Sequence, residues 1–157
     1  MKRSDNKSHC PVNYALEIFG DSWSLLIIRD IVFWGKHTYG EFLDSDEHIA
    51  TNILASRLAH LEERGIIAKR PHDTDKRKEL YILTEAGLDL IPVLLEISGW
   101  SSTHDTKTTA PKDFVAHVYA NREAMFTLIR QTVRDGGSLF IGPNSVIRKM
   151  GTVTSAV

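Results

Sequence analysis

The sequence predicts an α+β fold that is mainly helical, and residues 39–84 carry most of this prediction. Within them, Leu54, Leu58 and Leu61 recur at the i, i+4, i+7 spacing of one apolar helix face. Gly65 then fits the C′ position that follows a helix, and two short strands flank a basic turn. A short helix, a second helix and a basic β-hairpin in this order are typical of a winged helix-turn-helix.

The chain is expected to begin with a mobile polar arm, residues 1–9, and a helix that starts at Pro11. Proline favours the first turn of a helix because its missing N–H is not needed there, and Gly20 should end this helix. One side of the helix is apolar and consists of Val12, Ala15, Leu16, Ile18 and Phe19.

A second helix is expected from Trp23 to Phe33, with Asp21 or Ser22 as its N-cap. Because this segment is apolar on most sides, we expect it to be buried. A turn and a short helix over residues 39–43 should follow, and the acidic residues 44–48 should connect that helix to the one that contains the leucine face.

Beyond the hairpin, Thr84 should cap a fifth helix that is kinked at Pro92, since proline lacks a helical N–H donor. Residues 101–110 have the composition of a linker. A last helix is expected over residues 111–134. We expect a short strand over residues 139–141 and disorder in the rest of the tail, residues 138–157.

A length of 157 residues predicts one domain with an extension. We place the winged-helix domain at residues 10–105 and a C-terminal dimerisation helix with its tail at residues 106–157. The apolar face of that last helix has no obvious partner within one small domain, so we expect a homodimer. In the dimer, this face should pack against the N-terminal helix of the partner subunit.

The composition is that of a soluble globular protein, with 42% hydrophobic and 25% charged residues. No apolar run reaches the roughly 18 residues of a membrane span, and the first ten residues contain no apolar signal region. One cysteine excludes an intrachain disulfide and a zinc site built from cysteines. We therefore expect a cytoplasmic protein that does not bind a membrane.

The overall charge of −1 is not that of a typical nucleic-acid binder, but the hairpin concentrates positive charge. Local charge decides phosphate contact, so the rest of the surface can stay acidic. The basic residues of the predicted hairpin are Lys69, Arg70, Lys76, Arg77 and Lys78.

The helix over residues 50–64 offers small or polar residues beside its leucine face. Such side chains let a helix approach base edges in a DNA major groove. We predict that Asn52 and Ser56 read bases, and that Arg57 contacts the DNA backbone. The full set of predicted DNA-binding residues is Thr51, Asn52, Ala55, Ser56, Arg57, Arg70, Lys76, Arg77 and Lys78. The alternative is a winged-helix module that binds other proteins and not DNA.

Arg77, at the predicted hairpin tip, is expected to enter the minor groove or to clamp phosphate, because guanidinium is planar and permanently charged. A solvated surface charge is the alternative. Trp23 is expected in the core, while Trp100 fits a subunit interface or a ligand pocket equally well.

Cys10 precedes Pro11 at a helix start, where partial positive charge favours the reactive thiolate. Cys10 is therefore a candidate redox sensor, with a small buried residue packed at the dimer interface as the alternative. The seven histidines lack metal-ligand spacing, and no nucleophile elbow, Walker motif or dinucleotide fingerprint occurs. We expect neither a metal site, nor a cofactor, nor an enzymatic activity.

Several motifs resemble the HxlR family of bacterial transcriptional regulators, in the family's order and over residues 10–100. These motifs are Cys10-Pro11-Val12, the segment Gly20 to Asp30, the segment Leu54 to Gly65, and Tyr81-Ile82-Leu83-Thr84-Glu85-Ala86-Gly87. The resemblance implies a winged-helix homodimer whose terminal helices form the interface and which binds palindromic operator DNA, as a repressor. It also implies that a cysteine at the position of Cys10 senses oxidants or electrophiles.

The chain departs from the family pattern at two places. Ala50 stands where family members usually carry serine or a similar cap, so we expect Thr51 to take over capping and to shift the helix start. The predicted wing, residues 73–84, resembles the wings of MarR-family regulators as much as those of HxlR proteins. Because both families are winged-helix dimers, DNA binding is the expectation in either case.

Overall fold

The computed structural model of the chain describes residues 7–154, so residues 1–6 of the predicted mobile arm lie outside the described residues. In chain order, the elements are α1 (Pro11–Phe19), α2 (Ser24–Trp34), α3 (Tyr39–Leu43), α4 (Thr51–Glu63), β1 (Ile67–Pro71), β2 (Glu79–Leu83), α5 (Glu85–Leu88), α6 (Ile91–His104), α7 (Lys112–Ala120), α8 (Arg122–Arg134) and α9 (Val146–Thr154). This order confirms the predicted mainly helical α+β winged helix-turn-helix.

The wing is a two-stranded antiparallel sheet in which Ile67 pairs with Leu83 and Pro71 with Glu79. The free edge of β2 is covered at one point by the turn after α2. There the backbone N–H of Tyr81 donates to the carbonyl of His37 at 2.7 Å, and the Nδ1 atom of His37 lies 2.9 Å from the carbonyl of Tyr81. These bonds fasten the wing to the helical part of the domain.

One continuous core joins the winged helix to the C-terminal region. Ile28 and Ile31 of α2 are fully buried, as are Leu54 and Leu61 of α4. The same core includes fully buried residues far along the chain, namely Ile91, Ile129, Leu139 and Val146. The extension therefore belongs to the packed structure of this chain.

The fifth helix is not one kinked helix, as predicted, but two. Helix α5 ends at Leu88, and α6 begins at Ile91 with Pro92 in its first turn. Proline is well tolerated there because the first N–H groups of a helix have no partner, so the chain restarts a helix. Helix α6 also continues to His104, which corrects the predicted linker at its first four residues and leaves Trp100 within a helix.

The predicted last helix is likewise interrupted, at Asn121, whose φ of −132° and ψ of 39° are not helical. The side-chain amide of Asn121 donates to the carbonyl of His117 at 3.1 Å. Asparagine side chains compete with backbone donors in this way, which disfavours them inside helices. The break divides the segment into α7 and α8.

The apolar residues of α7 and α8 face the core of their own chain, against the prediction that they lack a partner. Val118, Met125, Ile129 and Val133 are all buried there. The expectation that this face packs against a partner subunit's N-terminal helix is therefore wrong in its premise, since the chain itself covers the face.

The tail is ordered where the structure describes it, in contrast to the predicted disorder. Residues 139–141 form no strand, but the amides of Leu139 and Phe140 donate to the carbonyls of Val32 and Phe33 at 2.8 and 3.1 Å. Helix α9 then places the fully buried Val146 in the core. Sequence periodicity missed this segment because its buried residues are few and widely spaced.

We predict that Leu139→Ala lowers the free energy of unfolding by about 2–5 kcal/mol, the usual cost of truncating a fully buried leucine. Ile141→Ala is the matched control, because Ile141 lies on the same segment but is 56% exposed, and it should change stability by only about 0.5 kcal/mol. Urea unfolding of both variants measures this difference. Equally small losses in the two variants would show that the tail is not part of the core.

Candidate nucleic-acid interface

Helix α4 buries its leucine face and exposes the opposite side. Leu54, Leu58 and Leu61 are at most 2% exposed, which confirms the predicted core face. The predicted base-reading side is exposed along the first two turns and consists of Thr51, Asn52, Ala55 and Ser56. A row of small or polar side chains on an exposed helix face gives DNA bases close access to the helix.

The start of α4 differs from the prediction that Thr51 caps it. Ala50 is the N-cap residue and supplies no side-chain hydrogen bond, while Thr51 is already helical. The first turn is held instead from α3, because the hydroxyl of Tyr39 donates to the carbonyl of Thr51 at 2.7 Å. At the other end of α4, Gly65 has a φ of +69°, which confirms its predicted role after the helix.

Helix α3 is itself fixed by a capping box formed by Thr38 and Glu41. Burial opposes ionisation of Glu41, but hydrogen bonds from the amides of His37 and Thr38 outweigh it and lower the pKa of this carboxyl. Tyr39, whose hydroxyl binds the first turn of α4, therefore belongs to a short helix whose start is fixed by a capping box.

A buried carboxylate fastens the connection between α3 and α4 to α2. Asp30 is 3% exposed, and it accepts hydrogen bonds from the hydroxyl of Ser45 and from the guanidinium of Arg29, at 2.6 Å for Nη2. Arg29 also binds both oxygens of Glu47, with Nη2 2.9 Å from Oε2. Lys36 completes the cluster by donating to Ser45 at 2.7 Å. The position of α4 depends on these contacts.

Arg57 is not free for DNA in the way the sequence predicts. Its Nη1 atom lies 3.4 Å from Oδ2 of Asp21, and its Nη2 atom lies 3.2 Å from the hydroxyl of Ser56. The N-cap residue of α2 is Trp23, and not Asp21 or Ser22 as predicted, but the Asp21 carboxylate accepts the amides of Trp23 and Ser24 at 2.8 and 2.9 Å and so holds the start of the helix. Arg57 thus links α4 to the beginning of α2.

The tip of the wing is shaped by Asp75 and His72. His72 Nδ1 accepts the amide of Asp75 at 3.2 Å, and Asp75 Oδ1 accepts both the amide and Nε of Arg77 at 3.1 Å. These bonds with Arg77 lower the pKa of the Asp75 carboxyl. The Arg77 side chain is nevertheless 91% exposed, so Asp75 orients it without covering it.

The other predicted wing cations separate into two groups. Arg70, Lys76 and Lys78 are exposed and make no salt bridge within residues 7–151. Lys69 instead lies 3.4 Å from Glu62 at the end of α4 and 3.5 Å from Glu79 of β2. Lys69 therefore joins the wing to α4, whereas the side chains of Arg70, Lys76 and Lys78 remain accessible to an anion such as a phosphate.

Cys10 is exposed and is the N-cap residue of α1, as the sequence predicts for a residue at a helix start. Its backbone N–H donates to the hydroxyl of Ser8 at 3.3 Å. This exposure applies to a single subunit, so the predicted alternative of packing at a dimer interface stays a prediction. Trp23 is half-buried against the core, whereas Trp100 is 66% exposed.

Two further properties concern the described residues. No helix among them is both long enough and apolar enough to cross a membrane. They also contain no group of three or more histidine, cysteine, aspartate or glutamate side chains placed to hold a metal ion.

Sequence reasoning missed the residues that position α4, above all Asp30, Ser45, Glu47 and Tyr39. They lie in different elements and come together only in the fold, so no spacing rule brings them out. The one available signal was an aspartate within an otherwise apolar helix, because a buried charge requires partners.

The sequence model of the HxlR-like helix-turn-helix family matches residues 18–109. The chain belongs to this family. The matched span of the HxlR-type chain includes α2 to α6 and the wing. Helices α7 to α9 lie beyond it.

Comparisons with individual proteins support this family assignment. MT3179 of Mycobacterium tuberculosis, an uncharacterized HTH-type transcriptional regulator, is 33% identical over 106 residues, which are 68% of this chain and 66% of that relative. The crystal structure of PA1607, described as a candidate transcription factor, shares 36% identity at a TM-score of 0.61 over 69% of this chain and 75% of its own. The redox regulator HypR in its reduced form shares 28% identity at a TM-score of 0.55, over 62% and 95% of the two chains.

We predict that Asp21→Ala lowers the free energy of unfolding by about 0.5–2 kcal/mol at neutral pH, the range for losing a side-chain oxygen that accepts amides at a helix start. Burial raises the pKa of Asp21, but hydrogen bonds from Ser24 and Trp23 outweigh it, so the pKa lies below its ordinary value of 3.8. A lowered folded-state pKa stabilises the fold above the unfolded value, and this contribution is lost as pH falls through the folded value.

The stability difference between wild type and Asp21→Ala should therefore shrink in acid. Urea unfolding at neutral pH and below pH 3.8 measures it, with Asp73→Ala on the exposed wing loop as the control. A difference that stays constant across this range would contradict the assigned role of the carboxylate.

Proposed function

We propose that this chain is a cytoplasmic transcriptional regulator that binds double-stranded DNA in a sequence-specific manner, as a homodimer. The observation that carries the proposal is the exposed small polar face of α4, which lies opposite three buried leucines. A helix with this division can enter a major groove while its other side stays fixed to the domain.

In this proposal, Asn52 and Ser56 contact base edges, and Thr51 and Ala55 permit close approach. Asparagine forms a bidentate pair with adenine in the major groove. The exposed wing residues Arg70, Lys76, Arg77 and Lys78 contact phosphates or the adjacent minor groove. Arg57 contacts the DNA backbone, where a phosphate replaces the Asp21 carboxylate as the partner of its guanidinium.

Selection of genomic fragments by the purified protein, followed by sequencing, tests the proposal. We expect enrichment of an inverted repeat whose half-sites lie about one helical turn apart. Binding should weaken with salt by about 0.9 per contacted phosphate on logarithmic axes. Enriched sites that overlap promoters would support repression. A winged helix that serves only to bind proteins would retain no duplex DNA even at low salt.

We predict that Asn52→Ala relaxes the preference at one base pair of each half-site, at a cost of about 1–3 kcal/mol. The preference should relax because the variant loses a bidentate contact that only one base can make. Competition binding with the selected operator and with single-base variants measures the effect. An equal loss of affinity for operator and random DNA would show that Asn52 does not read bases.

Arg77→Ala should instead weaken binding to all sequences alike and lower the salt slope by about one unit, because it removes one phosphate contact. Lys112→Ala is the matched control, since Lys112 is an exposed cation on α7, outside the winged-helix elements. The two variants are compared in salt titrations of operator binding. Identical slopes for Arg77→Ala and Lys112→Ala would remove the wing tip from the interface.

For the homodimer, we propose α1 as the interface, in place of the C-terminal face that the chain covers itself. Val12 and Leu16 lie one turn apart on α1 and are 64% and 58% exposed. Apolar residues that share an exposed helix face favour self-association, and a two-fold dimer fits an inverted repeat.

We predict that the wild-type chain is a dimer at micromolar concentration and that Leu16→Glu makes it monomeric, because a charge would be buried in the interface. Light scattering gives the mass of each protein. Ile147→Glu on α9 is the control, since Ile147 is also exposed, at 40%, but lies outside the proposed interface. A wild-type monomer, or a Leu16→Glu dimer, would exclude the α1 interface.

Cys10 lies at the start of this proposed interface, so its modification should alter the spacing of the two α4 helices. We predict that hypochlorite or a quinone changes operator affinity in wild type and leaves Cys10→Ser unaffected. Hypochlorite and quinones react with exposed thiols, and Cys10 is exposed. DNA binding before and after treatment measures this. The same response in both proteins would place the effector site elsewhere.

A further inference from the structure

A cleft of about 870 Å³ lies between the winged-helix elements and the C-terminal region. Its walls come from the end of α2, the connection before α4, helices α6 and α7, and residues 139–141. Large apolar side chains that remain partly exposed line it, namely Trp34, Ile97, Tyr119 and Ile141, at 41–56% exposure. A concave site with such a lining fits a small organic ligand.

One wall of the cleft is a cluster of aromatic rings centred on Phe140. The ring of Phe140 lies 5.7 Å from that of Phe33, 5.3 Å from that of Trp34 and 5.4 Å from that of Phe114. Ring faces carry partial negative charge, so they attract cations as well as apolar groups.

The charged residues at one end of the cleft carry a net negative charge. It contains two cations, Arg29 and Lys36, and three carboxylates, Asp30, Asp46 and Glu47. Both cations are already engaged, Arg29 with Asp30 and Glu47, and Lys36 with the Ser45 hydroxyl and, at 3.8 Å, with Asp30. Asp46 is exposed and forms no hydrogen bond or salt bridge within the described part of the chain.

We propose that this cleft binds a lipophilic organic cation, with its apolar body on the aromatic wall and its charge at Asp46. An anion of the same size would meet the negative end of the cleft and would have to displace a carboxylate from Arg29 or Lys36. A cation keeps these contacts and gains an unpartnered carboxylate, which gives charge complementarity.

Binding at Asp46 would also affect DNA affinity, and this part rests on the proposed function. Asp46 and Glu47 belong to the connection that leads directly into α4, and Glu47 holds that connection to Arg29. A ligand that contacts the neighbouring carboxylate favours one position of this connection over others. It therefore shifts the position of α4 by as much as its affinity differs between the two states.

Two organic ions of the same shape and opposite charge test the ligand class on the full chain. We expect tetraphenylphosphonium to bind about tenfold more tightly than tetraphenylborate in isothermal titration calorimetry, the order given by a cation–π contact and one ion pair together. Quenching of Trp34 fluorescence should accompany binding and should be lost in Trp34→Phe. Absence of tetraphenylphosphonium binding, or equal binding of the two ions, would overturn the proposal.

Asp46→Asn should lower the preference for the cation about threefold, the share of the ion pair, while leaving the fold intact by circular dichroism. Asp44→Asn is the matched control, because Asp44 lies in the same connection and is exposed but does not line the cleft, so it should keep the preference. Phe140→Ala should weaken the binding of both ions, and that of the cation more, because the variant loses an aromatic face together with apolar contact area. A preference that is unchanged in Asp46→Asn, or that is lowered equally in Asp44→Asn, would overturn the assignment of the charge to Asp46.

The regulatory part is tested on DNA fragments that the protein selects. Tetraphenylphosphonium should change the affinity of wild type for them several-fold and should leave that of Asp46→Asn unchanged at the same concentration. Binding of the cation without any change in DNA affinity would overturn the coupling. Failure to retain DNA at all would overturn the proposed function, whereas the calorimetry still decides on the cleft.

Discussion

The buried carboxylate of Asp30 is the interaction on which the geometry of the domain depends. It is 3% exposed, and its oxygens bind Arg29 and Ser45. A buried charge that loses its partner costs about 3–5 kcal/mol, so these contacts are obligatory once Asp30 is inside. They tie the connection before α4 to α2, because Ser45 lies in that connection and Arg29 also binds Glu47. Burial lowers the pKa of Arg29, but the hydrogen bonds with Glu47 and Asp30 outweigh it and raise the pKa, so the guanidinium stays charged.

Further contacts connect this part of the domain to the wing and to the C-terminal region. Towards the wing, His37 binds β2, and Lys69 joins β1 to the end of α4. Towards the C-terminus, the amides of Leu139 and Phe140 donate to the carbonyls of Val32 and Phe33 in α2. Helix α6 also approaches α7 so closely at Gly99 that a Cβ atom there would meet the Tyr119 hydroxyl. One helix, α2, thus supports both the proposed DNA-binding face and the extension that closes the cleft.

The sequence predicted those parts of the fold that local signals determine. The leucine spacing in α4, the left-handed Gly65 and the cap at Thr84 each depend on neighbouring residues, and each is confirmed. Breaks within helices were not predicted correctly, because Pro92 and Asn121 permit either a kink or a restart and tertiary packing decides between them. The tail and the Asp30 cluster could not be predicted, since their contacts join residues distant in sequence. For the candidate site, the exposed face of α4 was predictable from periodicity, whereas the pairing of Arg57 with Asp21 was not.

The proposed function requires that the exposed face of α4 reads bases through Asn52. Replacement of each adenine of a selected operator half-site by 7-deazaadenine tests it most directly, because this analogue lacks the N7 acceptor of a bidentate asparagine contact. We expect that the replacement at one position per half-site weakens binding of wild type and that the same replacement has no effect on binding of Asn52→Ala. If no position is sensitive, or if wild type and Asn52→Ala lose affinity equally at the same position, the claim is contradicted.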